Sequence, residues 1–577
     1  MESQNPVHPL GQKARVLLSS VFGPYAIDDE YGSRKINPME CYQNQVTRNQ
    51  GAFSLRMFHR SFGLKLIQTN IDGPCTLLDF PSLDRFIAEI SEKKYDIVGI
   101  SAIAPNLGKV KKMCSLLRQY QPQATIVIGG HIANRAGLDG EIDADHIVKG
   151  DGVTWFRSFL KQDLKAPVKH PKMTSGFGTR ILGMTLRDKP GDTSAILLPS
   201  VGCPLGCNFC STSAFFGGKG KHVDFFETGQ ELYDVMCDIE KNMKVKSFFV
   251  MDENFLLHRK RALELLDLMK AGRKSWALSI FSSAKVLRSY SMDQLAGLGI
   301  GWVWMGLEGE ESQYTKLKGI DTKTLVKELQ SKGIRVLGSS IIGMEDHSAK
   351  NIYSVIDYAV SHNSVFHQFM LYTPVSGTPL HKQMSEQGKL LSEEQLSIAD
   401  SHGQFRFNYH HNHIKNGEET RFLNDAFNLD FDRNGPSLAR LIRVLLNGWK
   451  TYQKHPEKRI RDRVAWEVNP LRSDYAGAVW AMKKWCVGNE AKYQELDGLL
   501  RDLIKEFGFR TRVYASLSGR YIYRKLKAEE KRLSTGWSYE PETFYEENES
   551  ATLLRKSAAK RSVYKEGKVK NLAMNPT

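Results

Sequence analysis

The stretch Cys203-Pro-Leu-Gly-Cys207-Asn-Phe-Cys210 places three of the chain's eight cysteines within eight residues. No other segment restricts so strongly what this polypeptide can build. Thiols at this spacing can ligate a metal centre, form a disulfide cluster or arise by chance. Three thiolates on a four-iron cluster leave one iron without a protein ligand, open to a substrate or cofactor. A structural zinc site would need a fourth ligand, such as His222. Gly202 and Gly206 allow the tight curvature with which a short loop wraps a cluster edge, and Pro204 stiffens the same loop. The apolar run Ala195–Val201 leads into it as a buried strand.

Strand and helix alternate on both sides of this loop. Upstream, Ala14–Ser20, Leu64–Gln68, Asp96–Ser101 and Thr125–Gly130 read as strands, and Asp84–Lys94 and Val110–Gln119 as helices. This is the pattern of a doubly wound parallel sheet, which binds ligands at the carboxyl ends of its strands. A generic nucleotide-binding fold would show similar strands. Downstream, strands begin at Ala195, Lys246, Trp276, Gly301, Ile334 and Ser364. The capping boxes Thr228-Gly-Gln-Glu231 and Ser291-Met-Asp-Gln294 mark the starts of two intervening helices. Six β/α units predict a partial barrel of the TIM type, with its chemistry at the strand ends. Past Gln383 the chain turns to long, charged helical stretches. The predicted fold class is therefore α/β with a mainly helical C-terminal domain. Its predicted division is 1–165 (Rossmann-like), 166–192 (linker), 193–383 (barrel), 384–550 (helical) and 551–577 (basic, disordered tail).

The Cys-x3-Cys-x2-Cys spacing, with the aromatic Phe209 before the last cysteine, resembles the signature of radical S-adenosylmethionine (SAM) enzymes. The resemblance implies that Cys203, Cys207 and Cys210 hold a [4Fe–4S] cluster and that SAM chelates the open iron. Reductive cleavage of SAM would then give a 5'-deoxyadenosyl radical that abstracts hydrogen. The N-terminal half resembles the cobalamin-binding domain of cobalamin-dependent radical SAM enzymes, through Asp96–Ser101, Gly129-Gly-His131 and Val148-Lys-Gly-Asp-Gly152. Cobalamin would lie over the strand ends, near Ser101, Gly129, Gly130, His131, Gly150 and Gly152. No Asp-x-His-x-x-Gly loop follows the first strand, so cobalamin bound without a histidine on cobalt is the expectation, with His131 as the alternative ligand. For SAM, the resemblance implies contacts from Asp252, Glu253 and Asn254 in the segment Phe248–Asn254, a carboxylate being the natural partner of an ammonium. Further implied contacts are Ser282, Glu308 within Met305–Gly309, and Ser340 and Gly343, where adenine would lie against the backbone. Each of these polar residues, taken alone, could equally be a cap or turn residue.

Net charge of +16 admits nucleic acid, an anionic membrane surface or an acidic substrate. No nucleic-acid-binding motif accompanies it, and no nucleic acid partner is expected. Scattered remaining cysteines, no signal-peptide pattern in 1–13 and no run near the ~20 apolar residues of a membrane span point to the cytoplasm. The stripe Leu438, Leu441, Ile442, Leu445, Leu446 and Trp449, beside Arg440 and Arg443, reads as core packing or as a lipid-surface helix. The tail carries seven basic side chains against one acidic, which adds to an expectation of peripheral membrane contact at the inner face. His402, His410, His411 and His413 read as polar loop residues, with metal binding as the sharper alternative. The resemblance implies C-methylation of an unactivated carbon in a hydrophobic or lipid-like small molecule, with electrons from a donor such as flavodoxin or ferredoxin. Radical cyclisation or rearrangement is the alternative reaction. A cobalamin- or redox-sensing protein is the reading from another class.

Overall fold

The chain divides into two units that are not contiguous in sequence. One comprises Met1–Gly32, Ser61–Pro171 and Glu540–Thr577, the other Ser33–Arg60 and Lys172–Tyr539. The structure, a computed structural model, describes residues 6–23, 30–32, 36, 39–186, 193–308, 317, 319–536 and 542–556. Two stretches thus fall outside the boundaries read from composition. Residues 33–60 join the barrel unit, and the chain beyond 540 joins the N-terminal unit.

The first unit is built on β1 (Val16–Ser20), β2 (Cys75–Asp79), β3 (Ile97–Ser101), β4 (Thr125–Gly129) and β5 (His146–Ile147). These pair in parallel in the order β2-β1-β3-β4-β5. Every residue of β1 and β2 is buried, as expected for parallel strands covered on both faces. The order reverses between β1 and β3, which makes their carboxyl ends the switch-point crevice of the sheet. A strand from the far end of the chain, Phe544–Glu547, pairs antiparallel with β2 and closes that edge.

The run Leu64–Gln68, expected as a strand, lies in the helix Phe62–Thr69. Its buried residues Leu64, Leu66 and Gln68 alternate, and over so short an apolar run periodicity does not separate helix from strand. The strand comes one loop later at Cys75–Asp79, where the sequence reading saw only an isolated cysteine.

The second unit holds six parallel strands: β6 (Ala195–Leu197), β7 (Ser247–Val250), β8 (Ala277–Phe281), β9 (Ile300–Gly306), β10 (Arg335–Ile342) and β11 (Phe366–Leu371). They pair in sequence order, and each starts within two residues of its expected position. Both expected capping boxes are present. Phe248, Val250, Leu278, Ile280, Val303, Met305 and Val336 pack into the core with the surrounding helices. By the two-residue alternation of strands, Phe249, Phe281, Trp302, Trp304 and Ser339 face the barrel interior.

Six long helices follow, from Glu418–Asn434 to Phe509–Ser534. Pro436 caps the helix Ser437–Tyr452, and Leu438, Ile442, Leu445 and Leu446 are buried in a core shared with its neighbours. Arg440 is buried too, with a bidentate pair to Asp430 at 2.7 and 3.0 Å. This stripe is core, and the lipid-surface reading of it falls. The tail is helical over 549–556, which corrects the expected start of disorder, and the rest of it lies outside the described residues. Among the described residues no helix is long and apolar enough to cross a membrane.

Candidate functional site

The three cysteines lie on the loop after β6, and all three are half-buried. The loop's shape depends on two glycines in the left-handed region. A Cβ on Gly202 (φ +87°) would meet Phe216 Cβ at 2.9 Å, and one on Gly206 (φ +66°) would meet Lys219 Cβ at 2.5 Å. Ser213 Oγ donates to Cys203 O at 2.9 Å, and the Asn208 side chain reaches the Tyr372 hydroxyl at 3.2 Å. Phe209 meets the Tyr372 ring edge-on at 6.0 Å, just past the end of β11. Burial pushes the Cys203 thiol up to about 11, and the thiols of Cys210 and Cys207 and the Glu253 carboxyl add to the shift.

The segment after β7 separates three residues that the sequence put together. Asp252 Oδ2 accepts from Arg261 at 2.7 Å and from Ser200 Oγ, with all three residues buried. The same guanidinium reaches Asp224 Oδ1 at 3.3 Å, and Ser200 and Asp224 face each other in a two-strand bridge at the base of the loop. Asn254 Oδ1 accepts from Ser282 Oγ and from the Ser283 amide, both at 3.1 Å. Asp252, Asn254 and Ser282 therefore lock strand ends to one another.

Glu253 differs. Its Oε2 is buried with no hydrogen-bond partner among the described residues. Burial pushes its carboxyl up to about 7, the Asp252 carboxylate adds to the rise, and the Gly202 amide opposes it. A lone buried carboxyl oxygen beside Cys203 fits an ammonium, and three adjacent thiols with no fourth fit a site-open four-iron cluster.

The remaining expected SAM contacts sit at strand ends with varied commitments. Glu308 is buried and folds back on Gly306, where a Cβ would stand 2.6 Å from either carboxyl oxygen. Gly309 lies outside the described residues. Ser340 Oγ pairs with His367 Nε2 at 3.0 Å in the core. Gly343 (φ +80°) is filled against by Phe407, 2.2 Å from the place of a Cβ, and its amide donates to His347 Nδ1 at 3.0 Å.

In the first unit, Ser101 and Gly129 end β3 and β4, side by side in register. Gly130 (φ +79°) lies where a Cβ would be 2.6 Å from Ala102 O and 2.7 Å from Ser101 Oγ. Gly150 (φ +90°) has open space where its Cβ would be, while Gly152 opens a helix against Ile67. His131 begins a short turn after Gly130, and burial lowers its pKa. A glycine-floored ledge along the carboxyl ends of β3, β4 and β5, beside the switch point, fits a large flat ligand.

Two histidine groups find other work. His222 Nε2 pairs with Asp224 at 3.0 Å, so its polar contact is not with the thiols. His402 Nδ1 accepts from Gln404 N and His411 Nδ1 from His413 N, and burial pushes His402 to about 4. These are loop-shaping histidines, as the polar-loop reading has it. Sequence reasoning missed Arg261, whose signal was a cation in phase with Leu265 and Met269 on a buried stripe.

Residues 45–160 match the B12-binding domain family. An uncharacterized methyltransferase of Pyrococcus horikoshii is 23% identical over 54% of this chain and 73% of its own length. Bacteriochlorophyllide d C-8(2)-methyltransferase of Chlorobaculum tepidum is 21% identical over 59% and 78%. The structure of the radical SAM methyltransferase TsrM from Kitasatospora setae, with cobalamin and a [4Fe–4S] cluster bound, aligns over 78% of this chain and 98% of its own. Its TM-score is 0.48 at 14% identity. A B12-binding domain thus precedes a six-stranded barrel whose first strand carries the three-cysteine loop. The chain carries a B12-binding domain and is similar to these methyltransferases. The B12-binding match makes cobalamin a cofactor of this chain.

Proposed function

We propose that the chain is a cobalamin-dependent radical SAM enzyme that methylates carbon in a small molecule whose apolar, ring-bearing part enters the barrel. The observation that carries this reading is the interior wall. Phe249 and Phe281 lie 5.7 Å apart, and Phe281 stacks on Trp304 at 5.1 Å, all three half-buried. Beside them Ser339 Oγ donates to Gln368 Oε1, and Gln368 Nε2 donates to Gln45 Oε1, both at 2.9 Å. His59 stacks on Phe249 at 5.7 Å and the cluster of Tyr42 and Val46 packs against Trp304, so the wall is a half-covered aromatic surface with a few polar groups, the make-up of a site for an apolar ligand. The wall lies directly below the strand ends that carry Glu253 and Ser282.

When bound, the cluster supplies the electron that cleaves SAM, and cobalamin carries the methyl group. The protein's part is positional. Cys203, Cys207 and Cys210 hold the cluster, Glu253 receives the SAM ammonium, and the aromatic wall holds the target carbon away from water. The Arg261–Asp252 pair keeps the loop and the second strand end in one geometry. Each methylated product is accompanied by one S-adenosylhomocysteine, one methionine and one 5'-deoxyadenosine, with electrons from a flavodoxin- or ferredoxin-type donor.

The test is anaerobic reconstitution with iron, sulfide, cobalamin, a reductant and methyl-deuterated SAM, followed by an apolar extract as substrate source. Label transfer together with 5'-deoxyadenosine supports methylation. 5'-Deoxyadenosine without label in any product points to cyclisation or rearrangement, and no SAM cleavage at all points to a sensor.

A further inference from the structure

We infer that the outer face of the helix Phe509–Ser534 is a docking surface for an anionic lipid bilayer. This is independent of the proposed reaction. The helix is firmly seated on its inner side, where Ala515, Ile522 and Leu526 join the core of the helical region. Gly519 lies under Trp480, with a Cβ position 2.6 Å from the ring, and Arg180 pairs with Glu529 at 3.0 Å. Exposure on the outer side therefore does not come from a helix peeling away.

That outer side is unlike the rest of the surface. Phe509 is 73% exposed, Leu517 61%, Tyr521 56%, Tyr514 54% and Val513 41%. Phe509, Val513, Leu517 and Tyr521 recur every fourth residue and so form one continuous stripe. Arg510, Arg512, Arg520, Arg524, Lys527 and Lys531 are exposed around and beyond it, against one exposed acid, Glu530. None of these six cations has an ion pair among the described residues. Protruding aromatic and aliphatic side chains flanked by cations suit the boundary between headgroups and acyl chains. A second copy of the same face would set cations against cations. An acidic protein would accept the charges but leave the apolar stripe without a counterpart.

Full-length protein would be floated with vesicles of phosphatidylcholine alone or mixed with phosphatidylglycerol, at low and high salt. The expected result is recovery with the mixed vesicles, falling with salt. The pair R520E and R524E should lower the partition coefficient about a hundredfold or more, since each residue also reverses its sign. The pair F509S and L517S should lower it at low and high salt alike. These sites are exposed, and circular dichroism would verify that the fold is retained. Equal recovery with neutral vesicles would overturn the inference. So would variants that bind as the wild type does, which would assign binding to another basic segment. Self-association abolished by the same variants, without vesicle binding, would likewise overturn it in favour of a second copy.

Discussion

Glu253 and Asp252 are neighbours with opposite duties, and substitution should separate them. Glu253→Gln removes the charge but keeps the shape, and a charged hydrogen bond is worth about 1.5–3 kcal/mol. SAM affinity should fall about 10- to 150-fold with the iron–sulfur absorption unchanged. Equal SAM affinity in the variant would remove Glu253 from the site. Arg261→Leu leaves Asp252 buried without its cation, which costs roughly 3–5 kcal/mol. Its effect should therefore appear in urea unfolding. The cysteines give the sharpest case. Ala at Cys203, Cys207 or Cys210 should abolish the cluster, and a triple variant that kept its absorption would refute the assignment. At this scale the sequence exposed ligand types by spacing alone, because three thiols on one loop need no tertiary information. It could not divide Asp252, Glu253 and Asn254, since that division is made by Arg261, Ser200 and Ser283, which arrive from other elements.

Strand ends and loops carry the next level, and two glycines there make a contrast. Gly130→Ala would force a Cβ within 2.6 Å of Ala102 O in left-handed backbone, so it should destabilise the N-terminal unit. Gly150→Ala meets open space and carries only the left-handed cost of ~1–2 kcal/mol. It should nevertheless weaken cobalamin retention, because the added methyl stands on the ledge itself. Retention equal to wild type in Gly150→Ala would move the cofactor elsewhere. His131→Ala tests the same ledge: the spectrum of bound cobalamin should not change, and loss of a nitrogen hyperfine signal would make His131 the axial ligand. The barrel strands were legible because each is a short apolar run between capped helices. Leu64–Gln68 was not, since a short helix buried on a wide arc alternates like a strand. The stripe on Ser437–Tyr452 was legible as amphipathic, but only packing showed that Arg440 turns inward to Asp430.

Over the whole molecule, the units interleave along the chain, which composition could not reveal because the joining contacts are non-local. The strand Phe544–Glu547 covers the edge of β2 after an excursion through the entire barrel and helical region. Its attachment is specific. Gln68 Nε2 donates to Glu546 O at 2.8 Å, Lys65 pairs with Glu546 at 2.5 Å, and the Asn548 side chain accepts from the Cys75 amide at 3.1 Å. A fragment ending near 165 lacks this strand and carries 33–60, which belongs to the other unit. Truncation after Gly536 should therefore expose the edge of the fully buried strand Cys75–Asp79, the kind that recruits other chains. We expect the truncated protein to lose cobalamin and to aggregate or unfold in its N-terminal unit at lower urea, while the cluster absorption of the barrel persists. Limited proteolysis should then cut first within 61–171. Unchanged cobalamin content and urea midpoint after truncation would show that the five parallel strands suffice and that the returning strand is dispensable.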